Sequence, residues 1–213
     1  MNSSTRILAL RHGETAWNRD TRIQGQLDIG LNDRGRAQAA ALAEALRDES
    51  ITAIYSSDLS RARETAEAVA AVSGAPLTLD NALRERAFGV FEGHTWAEIE
   101  ANWPEDSQRW RKRDLNFAPG GGESLPVLFD RCVAAVERLA AVHPGETIAI
   151  VAHGGVMDCL YRAGTRQALD APRSWQLGNA TINRLLYSSE GLMVTGWNDD
   201  LHLAHLTLDE TST

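Results

Sequence analysis

Two histidines, each followed by glycine at the end of an apolar run, carry the most chemistry in this chain. The first lies in Leu10-Arg11-His12-Gly13-Glu14-Thr15, the second in Val151-Ala152-His153-Gly154-Gly155. A lone histidine is most often an ordinary structural residue. Here His12 is flanked by Arg11, and a second His-Gly pair recurs far downstream. A neutral imidazole held in one tautomer is a nucleophile. A guanidinium beside it suits a tetrahedral oxyanion, because it binds in bidentate fashion and keeps its charge. Glycines after each histidine let backbone N–H groups approach a ligand closely. Arg61 is a third candidate, at the start of a helix behind Tyr55-Ser56-Ser57-Asp58, where a helix N-terminus favours an anion; Arg63 reads as a solvated helix residue. Glu85 and Glu92 lie between expected elements. Either is an ordinary surface carboxylate unless phosphoryl transfer needs it, as proton donor to a departing alkoxide and then as base for water.

The elements that position these groups alternate. Arg6–Arg11 reads as a buried strand, and 13–32 as a long polar loop. A helix capped by Asn32 or Asp33 follows, with Ala37, Ala40, Ala41, Ala45, Leu42 and Leu46 as its packing face. Ile51–Tyr55 is a short strand, Leu59 to about Val72 a helix stopped by Ser73-Gly74, and Leu77–Leu79 a third strand. Pro104 divides 95–113 into two short helices. A long helix from Ser124 to Val142 presents Val127, Leu128, Cys132, Ala135, Val136 and Leu139 as a stripe. Thr147–Ala152 reads as the central strand with a helix from Gly155 to Arg162 behind it. Asn183–Tyr187 and Leu192–Trp197 close the fold, and the tail after Asp209 is expected to fray. This order predicts an α/β three-layer sandwich, a mostly parallel central sheet with helices on both faces. Residues 1–213 read as a single domain, with a helical insertion at about 94–122 over the site. Both His-Gly pairs then fall at carboxyl ends of strands, where open α/β sheets hold ligands.

Composition excludes several classes. With a formal net charge of −8, a generally basic surface for nucleic acid is not expected, so any anion must be held by a local arginine cluster. The only dense basic run is Arg109-Trp110-Arg111-Lys112-Arg113, a solvated helical face or, on the sharper reading, a rim facing an anionic substrate. Cys132 and Cys159 lack metal-ligand or CxxC spacing and read as buried free thiols in a reducing compartment. No signal peptide or membrane span is evident, which makes the cytoplasm the default expectation.

Taken in order, the motifs resemble the histidine phosphatase superfamily, which includes the cofactor-dependent phosphoglycerate mutases. They are Arg11-His12-Gly13-Glu14-Thr15 with Trp17-Asn18; Gln24-Gly25 with Asp28, Leu31 and Gly35; Ser57-Asp58-Leu59-Ser60-Arg61-Ala62 with Thr65-Ala66; Leu83-Arg84-Glu85 with Phe88-Gly89 and Glu92-Gly93; Gly122-Glu123-Ser124; and His153-Gly154-Gly155. Gly30 departs from the proline of many relatives. The resemblance spans roughly residues 6 to 200. It implies His12 as the nucleophile that becomes phosphohistidine, and Arg11, Arg61 and His153 as the phosphate pocket. Asn18, Gln24, Gly25 and Gly154 are the implied substrate contacts. Glu85 is the implied proton donor, with Glu92 structural. It implies no metal.

The motifs alone do not separate a phosphatase from a mutase. The short stretch between Glu92 and Glu123 resembles the phosphatase branch. The expectation is therefore a metal-independent histidine acid phosphatase-type phosphohydrolase acting on a small phosphorylated metabolite. A phosphoglycerate mutase, with 2,3-bisphosphoglycerate as cofactor, is the alternative, and a non-catalytic phosphate-binding protein a third. The expected partner is a small-molecule phosphate ester, with neither nucleic acid nor membrane; a homodimer is common in the family. Substrate choice is expected to lie with Gln24, the 96–113 region and Trp175.

Overall fold

The computed structural model describes residues 4–208. Its centre is a six-stranded sheet in the order β3-β2-β4-β1-β5-β6. Strands β1 (Thr5–Arg11), β2 (Ile51–Ser56), β3 (Leu77–Leu79) and β4 (Thr147–Ala152) run parallel. Strands β5 (Ile182–Ser188) and β6 (Gly191–Asp199) form an antiparallel hairpin that joins the sheet through β1. The helices are α1 (Ala16–Arg19), α2 (Asp33–Ala45), α3 (Ser60–Ser73), α4 (Trp96–Asn102), α5 (Pro104–Arg111), α6 (Leu125–Ala141), α7 (Gly154–Thr165) and α8 (Ala204–Leu208).

Side-chain alternation along the central strands builds two cores. Ile7 and Ala9 of β1 and Ile148, Ile150 and Ala152 of β4 pack on α6 and α7. Leu8, Leu10, Ala149 and Val151 face the other way, onto α2 and α3. Every residue of β4 is buried, as befits a strand covered on both faces. The expected three-layer α/β arrangement is what the chain adopts. No helix among the described residues is long and apolar enough to cross a membrane.

Two packing faces differ from those expected. On α2, Ala37, Ala40 and Ala45 are exposed, while Gln38, Ala39, Leu42 and Ala43 are buried. Leu42 and Leu46 set the buried face, and Ala41 and Ala45 lie about 100° away from it. On α6 the stripe runs Leu128, Cys132, Ala135, Val136, Leu139, and Val127 is 52% exposed. As the neighbour of Leu128 it falls one helical step off the stripe. The loop 13–32 is less irregular than its composition suggests. It holds α1, closed by a capping box in which Thr15 and Asn18 satisfy each other's backbone N–H groups. Asn32 is the cap of α2, its side chain accepting from the Gly35 amide at 2.7 Å. Glycine is required where this loop crosses α2: a Cβ on Gly13 would sit 2.4 Å from the Gly35 carbonyl oxygen. The tail after Asp209 lies outside the described residues.

Because Ile150 is fully buried on β4, between β1 and β2 and under α6 and α7, Ile150→Ala is expected to destabilise the fold by about 2–5 kcal/mol. Urea denaturation measures this. A loss under about 1 kcal/mol would show that β4 is not the central strand of a tightly packed core.

Candidate active site

Parallel pairing of β1 with β4 brings the two His-Gly pairs together. Arg11 is in register with Ala152, and the His12 amide donates to the Ala152 carbonyl at 3.0 Å. The imidazole centroids of His12 and His153 end 5.2 Å apart. Both rings are buried. On the other side of β4, the Ser57 amide donates to Val151, which extends β2 past its end and aims α3 at the same spot. Arg61, in the first turn of α3, is 1% exposed and reaches back under the loop.

The protonation of His12 follows from its partner. Nδ1 lies 2.7 Å from the Gly13 carbonyl oxygen, which can only accept, so Nδ1 carries the proton. Nε2 is left with its lone pair. Burial first, and then Arg61 and Arg11, hold the imidazole well below the usual histidine range, so it is neutral at pH 7. His153 is held low by burial, Arg61 and His12, and neither of its ring nitrogens has a hydrogen-bond partner in the protein.

The two guanidinium groups are held by neutral carbonyls. Arg61 donates to Leu27 at 2.9 Å and to Gly25 at 2.7 Å. Arg11 donates to the Leu177 carbonyl. Burial brings Arg11 down to about 10 and lowers Arg61, leaving both protonated at neutral pH. The Nε atoms of both are buried without a partner. The Glu85 carboxylate accepts from the Gly155 amide at 3.1 and 3.0 Å and from the Arg86 amide at 2.7 Å. This places it on the first turn of α7, whose start is His153. A Cβ on Gly155 would lie 2.2 Å from Glu85 Oε1, so only glycine permits this approach. Glu92 instead accepts from the amides of Gln26 and Phe88 at 3.0 and 2.9 Å, pinning two loops together.

The expected substrate contacts are placed differently from one another. Gly154 packs against Arg11, a Cβ there falling 3.5 Å from Nε. Asn18 Oδ1 is taken by the Thr15 amide, and Asn179 Nδ2 lies 3.4 Å from it. Gln24 is buried and accepts from the Thr15 hydroxyl at 2.9 Å. Gly25 contributes its carbonyl to Arg61.

A cavity of about 1070 Å³ opens beside the site and reaches Arg11, Gly154 and Gly155. Five arginines line it (Arg11, Arg86, Arg111, Arg113, Arg173) against one carboxylate, Asp158. An anionic ligand is thus favoured locally in a chain of net charge −8. The run 109–113 divides between the two readings of it. Arg109 pairs with Asp114 on the surface; Arg111 and Arg113 reach the cavity wall while pairing with Glu100 and Asp158. Trp175 also lines the cavity. Among the described residues, no cluster of three or more His, Cys, Asp or Glu has the arrangement of a metal site.

Two contributors were not singled out in the sequence. Arg86 is 4% exposed and stacks over Trp110, 4.6 Å from the ring centroid. Burial brings it down to about 10. The segment before β5 clamps the end of β1, with the Ala180 amide on the Arg11 and His12 carbonyls and Asn179 Nδ2 donating to the His12 carbonyl at 3.0 Å. Neither belongs to a motif, and long-range backbone contacts leave no pattern in local composition.

The family model of the histidine phosphatase superfamily (branch 1) matches residues 7–200. Phosphoglycerate mutase-like protein 4 of Arabidopsis thaliana is 41% identical, over 92% of this chain and 86% of that protein. The metal-independent phosphoserine phosphatase of Arabidopsis thaliana is 38% identical, over 94% of this chain and 84% of that protein. The mycobacterial glucosyl-3-phosphoglycerate phosphatase, solved with VO3, superposes with a TM-score of 0.83 at 34% identity, covering 92% of this chain and 99% of that one. With its paired imidazoles on the ends of β1 and β4 and a family match over nearly its whole length, this chain belongs to the histidine phosphatase superfamily.

Proposed function

We propose that this protein is a phosphomonoesterase that hydrolyses small phosphorylated metabolites through a phosphohistidine. The observation that carries the reading is the fixed tautomer of His12: Nδ1–H is bound to Gly13, and Nε2 is unprotonated beside His153, Arg11 and Arg61. Nε2 attacks phosphorus in line, a P–N bond forms, and the ester P–O bond breaks. The Glu85 carboxyl gives a proton to the departing alkoxide. Water then attacks the phosphohistidine, Glu85 takes its proton, the P–N bond breaks, and inorganic phosphate leaves. Arg11, Arg61 and His153 stabilise charge on the phosphoryl oxygens throughout, aided by the first amides of α7.

A relative named as phosphatase and one named as mutase-like both match over most of their length, so the mutase reading has support too. Both reactions share the first half. They differ in whether water or a second hydroxyl accepts the phosphoryl group. The arginine-lined cavity suits the ester's leaving group in either case.

An assay with 3-phosphoglycerate in the presence of EDTA, with and without 2,3-bisphosphoglycerate, following free phosphate and 2-phosphoglycerate, separates these. Phosphate release that survives EDTA is the expected result. Cofactor-stimulated 2-phosphoglycerate would replace the phosphatase reading with the mutase one.

His12→Ala is expected to abolish turnover, and Glu85→Gln to slow it by roughly 10²–10⁴-fold while phosphate binding, followed by calorimetry, survives. Normal turnover by His12→Ala would refute the mechanism.

The lowered His12 value fixes a sign in the pH profile. A nucleophile whose pKa is depressed stays neutral as pH falls through 6.5, so the acidic limb of kcat/KM should lie below that value once the substrate's own ionisation at about 6 is allowed for. A limb at or above 6.5 would mean that His12 is not held neutral by its surroundings.

A further inference from the structure

Buried polar atoms without a hydrogen-bond partner gather in two places. One group is Arg11 Nε, Arg61 Nε and the ring nitrogens of His153, at the phosphoryl pocket. The other is Asp158 Oδ1 and Trp175 Nε1, and both of these residues line the cavity. Such atoms are costly, and in native proteins they ordinarily find partners.

Asp158 is 7% exposed. Its Oδ2 accepts from Arg113 Nη2 and from Arg162 Nε, both at 3.0 Å, while Oδ1 accepts nothing. Arg162 is fully buried and also donates to the carbonyls of Ala168 and Ala171. Its guanidinium carbon lies 4.7 Å from the Trp175 ring centroid, and Tyr161 is stacked on the same indole at 4.0 Å. The indole is thereby fixed, and its N–H cannot turn away to seek another acceptor. One guanidinium therefore carries both a carboxylate with a spare acceptor oxygen and an indole with a spare donor.

We infer that Asp158 and Trp175 form a hydroxyl-binding subsite for the leaving group of the substrate, which is accordingly a polyol phosphate. The inference rests on the phosphatase reading above. A hydroxyl donates and accepts, so one small group satisfies both orphan atoms; an ammonium alone or a carboxylate alone satisfies one, and an amino acid must place both at once. Two arginines on one carboxylate leave the wall positive, which disfavours an ammonium further. Asp158 follows Gly154 by four residues of α7, one turn, about 6 Å along the helix from the amide end of the phosphoryl pocket. A hydroxyl a few carbons beyond the ester oxygen spans that distance.

The test compares erythritol 4-phosphate with n-butyl phosphate, which has the same chain length and no free hydroxyl, and with phosphoserine, which brings an ammonium. kcat/KM is measured for the native chain, Asp158→Asn and Trp175→Phe; the second keeps an aromatic ring against Tyr161 and Arg162 and removes only the donor. Both esters are also titrated by calorimetry into His12→Ala, which reads the subsite without turnover. The native chain is expected to prefer the polyol ester by roughly ten- to a hundredfold, with each variant losing tenfold or more of that preference. Equal affinity of His12→Ala for the two esters overturns the subsite. So does a preference that survives both substitutions, or an equal loss on both esters, which marks the pair as purely structural. A loss in Asp158→Asn specific to phosphoserine overturns it in favour of an ammonium site. If the native chain hydrolyses none of the three while His12→Ala still prefers the polyol ester, the subsite stands and the phosphatase reading falls.

Discussion

One pairing governs the site: β1 beside β4, parallel and in register. It sets the hydrogen bond from the His12 amide to the Ala152 carbonyl, and so the 5.2 Å between the imidazoles. A slip of one residue would turn every side chain of β1 to the opposite face, sending Ile7 and Ala9 toward α2 and α3. The cores on the two faces forbid that. The precision of the His12–His153 pair is thus inherited from hydrophobic burial along strands that end where the site begins.

The electrostatics of the site follow from what holds the arginines. Carboxylates would neutralise Arg11 and Arg61; backbone carbonyls fix their direction and leave the positive charge in place. Burial first, and then that charge, keeps His12 and His153 unprotonated. On the proposed mechanism, nucleophile and anion receptor are one arrangement: the cations that would attract a phosphoryl group also help to keep the His12 nitrogen free of its proton. Leaving such charge unneutralised inside the protein is unfavourable for folding, and the wholly buried, mainly apolar β4 and its neighbours offset it.

Much of this was legible in the sequence. The order of elements along the chain, the division at Pro104 and the candidacy of Arg11, His12, Arg61 and His153 followed from apolar runs, glycines and caps, because those signals are local; the choice of Glu85 over Glu92 came only with the family resemblance. The face of α2 was not, since alanines on every side give no periodicity and Leu42 with Leu46 decides it only through contact with the sheet. Gln24 and Asn18, substrate contacts by the family resemblance alone, have their side-chain oxygens engaged within the loop that holds Thr15. Arg86 could not be recognised because its aromatic partner, Trp110, lies 24 residues away on α5. The clamp formed by the Ala180 amide and the Asn179 side chain acts on backbone carbonyls at the end of a strand far earlier in the chain, which local composition does not reveal.

The two short helices between β3 and α6 have an apolar cluster separate from the two that flank the sheet. Phe91, Ile99 and Phe117 form it, with Trp96, Trp103 and Trp110 packed around them. Since this cluster shares no buried residue with either sheet core, mutations in it are not constrained by strand register or imidazole spacing. Natural variation can therefore reshape the arginine- and tryptophan-bearing wall of the cavity while the phosphoryl chemistry stays as it is. Descendants of one such protein can diverge in diet without relearning how to digest.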